Sequence, residues 1–147
     1  MLATTMLLSK LQAKQMNKKT LLQIAIGPII VIGLHSVGTL AGWSEMWWWF
    51  DIPMHFLGGV AIAISIAAIL HEFETKKKFN IAWKPLEILT LLAFVALAAV
   101  LWEMMEFAFD IFFHTDMQPS LLDTIKDMCM GIIGGGLSAI VLAFRRK

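Results

Sequence analysis

The sequence Asp51-Ile52-Pro53-Met54-His55-Phe56-Leu57-Gly58-Gly59 lies inside a long apolar run and decides how the rest of the chain is interpreted. In a helix, side chains four positions apart share one face, so Asp51, His55 and Gly59 are stacked along the helix. The side chains on this face are polar at the start of the helix and small further along it. The stretch therefore predicts a membrane-spanning helix that presents a carboxylate and an imidazole near one end.

The composition is that of an integral membrane protein. Of the 147 residues 59% are hydrophobic and 16% are charged, and the mean hydropathy is +0.74; an average soluble domain is about a quarter charged. Four apolar runs are each long enough to cross a hydrocarbon core of about 30 Å, and they cover residues 21–43, 47–70, 86–109 and 122–144. Open strands leave backbone groups unsatisfied in lipid. We therefore predict an all-α fold, a four-helix transmembrane bundle in a single domain over residues 1–147.

The basic residues indicate the orientation of the bundle. Eleven of the 12 lysines and arginines fall within residues 10–19, 76–84 and 145–147, which four crossings place on one side. The positive-inside rule assigns that side, with both termini, to the cytoplasm. Lysines at positions 10, 14 and 18 share one helical face, which predicts a short N-terminal amphipathic segment on the membrane surface; a frayed basic tail is the alternative.

The third span carries carboxylates on one face. Glu103, Glu106 and Asp110 follow at i, i+3 and i+7. A solvated helix end explains Asp110 but not Glu103, because a charge at the centre of a spanning helix costs about 2.5–3.5 kcal/mol on the insertion scale. Such carboxylates require a cation or a proton.

The fourth span repeats the pattern of the second. Asp123, Asp127, Gly131 and Gly135 follow at four-residue intervals, with carboxylates first and glycines below. Gly-x-x-x-Gly pairs allow helices to approach closely in lipid, and the glycines at 58–59 predict the same for the second span. Aspartate side chains are short, so they can converge at the polar end only if the two helix backbones approach closely at the glycines.

Pro53 leaves two predictions open for the second span. The helix begins near Asp51 with Pro53 in its first turn, or it begins at Trp47 and is kinked at Pro53. A helix cap is the simplest role for Asp51, worth about 1 kcal/mol. His55 lies a turn deeper and needs another explanation.

Four tryptophans between residues 43 and 49 predict an aromatic belt at the outer interface. The connection between the first two spans is accordingly expected to be very short, around residues 44–46. The one cysteine, Cys129, is expected to be a small apolar core residue.

The second, third and fourth spans all carry their polar residues at the same end of the bundle, and these residues define the candidate site. Its residues are Asp51, His55, Glu103, Glu106, Asp123 and Asp127. Carboxylate oxygens with imidazole nitrogens suit a divalent metal ion, and helix bundles build such sites from facing helices. A structural polar network is the alternative. Whether His35 and His114 join the site stays open.

Function is less constrained than fold. A metal-dependent hydrolase or transferase acting on a lipid head group is one hypothesis, and an accessory subunit of a larger membrane complex is another. Ion or proton conduction is disfavoured because the cytoplasmic halves of the spans are apolar and have no further titratable group deep inside them. No polar path therefore continues across the membrane. The expected surroundings are the bilayer and no nucleic acid.

The motifs resemble a known group of proteins. Asp-x-x-x-His-Phe-x-Gly-Gly at 51–59, Trp-Glu-x-x-Glu at 102–106, and Asp-Thr-x-x-Asp followed by glycines at 123–136 resemble the YjdF-like family of small polytopic bacterial membrane proteins. VanZ-like proteins, associated with glycopeptide-antibiotic resistance and the cell envelope, are more distantly similar. Their pattern usually has Lys after the first Asp and Gln as the last residue of the Glu motif, where this chain has Ile52 and Glu106. The resemblance implies a bacterial inner membrane and leaves the activity open.

Overall fold

The computed structural model describes residues 16–76, 78 and 81–145, and within them the chain is helical and contains no strand. The helices are α1 (Lys18–Leu40), the short α2 (Trp43–Met46), α3 (Asp51–Thr75), α4 (Lys84–Phe113) and α5 (Leu121–Arg145). The four long helices of the described residues are each long and apolar enough to cross a membrane. The predicted all-α transmembrane bundle is confirmed, while most of the predicted amphipathic segment lies outside the described residues.

Helix α3 lies at the centre of the bundle. It packs most closely on α5 and also contacts α1 and α4, and α5 in turn packs on α4. A Cβ atom at Gly59 would overlap the carbonyl group of Gly131, and one at Gly134 would overlap the backbone of Phe56. The close approach predicted for the glycines of the second and fourth spans is therefore present, and the two helices make it with each other. Gly58 does not share in it, because it faces Val31 of α1.

The start of α3 settles the question raised by Pro53. The helix begins at Asp51, so Pro53 lies in its first turn, where a missing backbone donor costs no helical hydrogen bond. Asp51 does not cap the helix; Phe50 occupies the cap position without a side-chain hydrogen bond.

The connection between α1 and α3 is longer than predicted. Helix α1 ends at Leu40, and Gly42, at φ 72°, takes the left-handed conformation that commonly ends a helix. Residues 41–50 then form the connection, with α2 inside it and the rings of Trp47 and Trp49 stacked at 6.0 Å. The expected tight turn around residues 44–46 is therefore wrong, because the backbone reverses at Gly42 and then makes one more helical turn.

Cys129 is exposed, so the prediction of a core position for it is wrong. Asp127 and Gly131, two residues before and after it, are buried. Two residues correspond to about 200° around a helix, so Cys129 faces away from the bundle.

Buried carboxylates also occur at the opposite end of the bundle. Glu72 accepts hydrogen bonds from the Thr20 hydroxyl at 2.9 Å and from the Asn17 backbone at 3.3 Å, and it pairs with Lys76 at 2.9 Å. Glu87, in the first turn of α4, is buried as well. Glu72 lies past the predicted end of the second span because α3 extends to Thr75. Glu87 lies inside the predicted third span, so the expectation of wholly apolar inner halves is wrong at the start of α4.

Candidate metal centre

Three buried side chains from three helices converge in the half of the bundle that contains the first turns of α3 and α5 and the last turns of α4. His55 comes from α3, Glu103 from α4 and Asp127 from α5, and one ligand atom of each lies within 4.8 Å of the others. Their exposed fractions are 8%, 5% and 3%. Half of the six predicted residues therefore form one compact cluster, which we call the centre.

The glycine contact explains how α3 and α5 bring their side chains together. The two helices run in the same direction, and Gly59 and Gly131 each lie one turn beyond His55 and Asp127. Because the backbones touch at this glycine pair, the preceding turns are held at the same depth. A helix with larger residues there would stand farther off, and the aspartate is too short to bridge that gap.

Each member of the centre has a buried atom that no hydrogen bond satisfies within the described residues. These atoms are His55 Nε2, Glu103 Oε1 and Asp127 Oδ1. His55 Nδ1 lies 3.7 Å from Glu103 Oε1, which is too long for a hydrogen bond. Two ligand atoms about 2.1 Å from one ion are themselves roughly 3–4 Å apart. The separation therefore fits two groups that share an ion better than two groups that bond to each other.

Asp51 and Glu106 belong to a neighbouring group around His35. His35 Nε2 lies 3.0 Å from Asp51 Oδ1 and 3.7 Å from Glu106 Oε1, and Trp102 Nε1 donates to Glu106 Oε1 at 2.7 Å. The structure thus places His35 beside the site. We call Asp51, Glu106, His35 and Trp102 the flanking group.

The two groups are in direct proximity. The rings of His35 and His55 are 6.5 Å apart at centroid and nearly perpendicular, and both rings meet Trp102 edge to face, at 5.3 Å and 6.2 Å. The flanking group thereby links α1 to the helices that form the centre.

Asp123 lies one turn before Asp127 on α5 and is paired with Lys126. The Lys126 ammonium contacts Asp123 Oδ1 and lies 3.6 Å from Asp127 Oδ1. Both side chains are partly exposed. Lys126 is therefore the one ammonium close to the centre among the described residues.

Gln118 positions Glu103 and was not predicted from the sequence. Its side-chain amide donates to Glu103 Oε2 and to the Glu103 carbonyl oxygen, both at 2.8 Å. Asp110 accepts hydrogen bonds from the backbone of Met117 at 2.8 Å and of Gln118 at 2.9 Å, which fixes the loop. With Oε2 occupied, Oε1 is the oxygen left to face the centre.

His114 does not join the site. It is exposed and ends α4 with φ 54°, in the left-handed region. Its role is to turn the chain into the loop that carries Gln118.

The fold and the centre define the class of molecule as a four-helix membrane protein with a buried carboxylate and histidine cluster. The whole chain, residues 1–147, matches the model of the family described as "Predicted membrane protein (DUF2238)", so the chain belongs to that family. No curated protein and no solved structure is significantly similar to it.

Proposed function

We propose that the protein binds a divalent cation through His55, Glu103 and Asp127. The observation that supports this most strongly is the cluster of one ligand atom from each of three helices within 4.8 Å. Each of the three side chains also has a buried atom without a hydrogen-bond partner among the described residues. Buried polar atoms are nearly always hydrogen-bonded in native proteins. A cation would be bound by the carboxylate oxygens of Glu103 and Asp127 and by one ring nitrogen of His55.

The charge around the site supports a cation. Five carboxylates, those of Asp51, Glu103, Glu106, Asp123 and Asp127, surround the two histidines, against the single ammonium of Lys126. Uncompensated charge at membrane depth costs several kcal/mol or forces protonation. A bound divalent ion would offset much of this repulsion.

The number of protein ligands indicates what the ion would do. Three protein ligands leave at least one coordination position open, as in catalytic rather than structural sites. An open position binds water or a substrate oxygen, which the ion polarises. We therefore propose action on an envelope lipid as a hydrolase or transferase, with the ion as its Lewis acid.

The proposed location follows from the charges of the helix ends. The basic ends lie in the cytoplasm of a bacterial inner membrane, and the site faces the periplasm. The YjdF-like resemblance supports the bacterial assignment, and membership of that particular group is part of the proposal. An accessory subunit of a larger membrane complex is the second candidate; it predicts a stable large assembly in mild detergent, whereas our proposal predicts a small species active alone.

Metal content tests the proposal. Protein purified in metal-free buffer should carry about one divalent ion per chain by elemental mass spectrometry, and Glu103→Gln combined with Asp127→Asn should carry none. The matched control, Glu45→Gln with Asp116→Asn, makes the same change of charge at two exposed positions and should keep the ion. Equal metal content in the two double variants, or no ion in the native protein, would refute the proposal.

A further inference from the structure

A groove of about 120 Å³ lies beneath the two histidines, between α1 and α4. Its walls come from residues 28–35 of α1, 54–62 of α3 and 95–102 of α4, and Gly131 of α5 closes one side. The wall segments span seven or eight helical steps, or roughly 10–12 Å. The groove therefore runs along the helices rather than across them.

The groove exists because α1 packs on α3 without packing extensively on α4 in the described part of the chain. Small residues on the lining, Gly58, Ala98 and Ala99, widen it. A Cβ atom at Gly58 would meet only Val31, at 3.9 Å. The gap is thus an open space within the bundle, beside Gly58.

The two ends of the groove differ in polarity. His35, His55 and Trp102 lie at the outer end, whereas Pro28, Ile62 and Val95 lie toward the middle of the membrane. His55 is more than nine-tenths buried, and its Nε2 atom has no hydrogen-bond partner among the described residues. A polar end near the interface and an apolar end toward the bilayer centre reproduce the orientation of a lipid in the outer leaflet.

We propose that the groove binds one acyl chain of a membrane glycerophospholipid, whose phosphate then lies at the centre. The groove covers roughly 10 Å of the about 15 Å of hydrocarbon in one leaflet. Acyl chains are the solvent around a membrane-spanning bundle, and this makes them the most abundant apolar molecules that could fill the groove.

The head-group assignment rests on the proposed cation, whereas the acyl-chain assignment does not. Carboxylates alone repel a phosphate, and a cation with an open coordination position accepts a phosphate oxygen. This names the substrate class of the proposed enzyme as a diacyl phospholipid. A water-soluble phosphate compound would leave the groove without a function.

Photo-crosslinking in vesicles tests the acyl-chain site. The full chain is reconstituted in phosphatidylethanolamine and phosphatidylglycerol doped with phosphatidylglycerol that carries a diazirine on its acyl chain. Adducts are located by tandem mass spectrometry. The native protein should give adducts on groove residues such as Met54 and Ala99, besides those on the outer helix surfaces.

Filling the groove should remove these adducts. Gly58→Leu is expected to lower groove labelling at least fivefold, and Gly33→Leu, at an exposed glycine of α1 with nothing within 4 Å, should not. A second pair, Ala98→Leu in the groove and Ala93→Leu on the exposed face of α4, repeats the comparison independently. Surface adducts serve as the internal standard in every sample.

Equal groove labelling in filled and control variants, or no groove adducts in the native protein, would overturn the acyl-chain site. Metal content is measured on the same samples and should be unchanged by filling the groove. Groove adducts in a protein that binds no metal would support the acyl-chain site and refute the cation and the head-group assignment together.

Discussion

The centre and the flanking group use the same residue types at the same depth, yet they differ in how their polar atoms are satisfied. In the flanking group, His35 pairs with Asp51 at 3.0 Å and Trp102 donates to Glu106 at 2.7 Å. In the centre, His55 and Glu103 stand 3.7 Å apart, and each has a buried atom without a hydrogen-bond partner in the described part of the chain. The first arrangement holds helices together; the second has the open polar atoms that the proposed cation site requires.

This difference shows that burial of a carboxylate in a membrane helix is not enough to indicate a ligand. Glu106 and Glu103 lie one turn apart on α4 with exposed fractions of 3% and 5%. Glu106 has a protein donor on Trp102, while Glu103 has one oxygen held by Gln118 and the other without a hydrogen bond from any described residue. Hydrogen bonding, rather than depth, is what distinguishes the proposed ligand from its neighbour.

The largest expected effect comes from breaking the helix contact that aligns the centre. Gly59→Val puts a side chain against the Gly131 carbonyl, so α3 and α5 must separate. We expect destabilisation at or above the upper end of about 1–3 kcal/mol typical of overpacking, together with loss of metal binding. Thermal unfolding in detergent measures the first and metal content the second. Gly58→Ala is the adjacent control, and similar losses in both variants would contradict the assigned contact.

The next effect separates the two aspartates of α5. Asp127→Asn removes a ligand of the centre and is expected to weaken metal affinity more than 100-fold. Asp123→Asn removes only a partner of Lys126 and should weaken it about tenfold or less, as outer partners of metal ligands do at the lower end of their range. Competition titration with a metal indicator gives both values. Equal losses would show that the centre includes Asp123.

A smaller effect is expected at Gln118. Gln118→Leu frees Glu103 Oε2 to rotate, and loss of such an orienting hydrogen bond typically costs 10–100-fold in metal affinity. Asp116→Asn, an exposed change in the same loop, serves as the control and should leave affinity unchanged. A metal affinity of Gln118→Leu equal to that of the native protein would show that Gln118 does not position Glu103 for metal binding.

The sequence predicted those features that depend on periodicity along one helix. Four-residue spacing placed carboxylates above glycines on the second and fourth spans, and the contact of Gly59 with Gly131 confirms that prediction. The same local reasoning failed at Cys129, where the rotation of α5 in the bundle decides which side faces inward.

Which of the six candidate residues belong to the centre and which to its surroundings could not be predicted from the sequence. The answer depends on contacts with residues far away in the chain. Asp51 is paired because His35 of α1 reaches it, 16 residues earlier in the chain. Gln118 reaches Glu103 only because Asp110 folds the intervening loop back. No spacing in the sequence indicates that loop geometry, so the contact between Gln118 and Glu103 could not be found from a sequence motif.

X-ray absorption spectroscopy of the protein loaded with one equivalent of Zn²⁺ compares the two histidines as ligands of the proposed centre. We expect a mixed nitrogen and oxygen shell at about 2.0–2.2 Å with imidazole scattering, lost in His55→Gln and retained in His35→Gln. Imidazole scattering that disappears with His35, or persists without His55, would contradict this expectation.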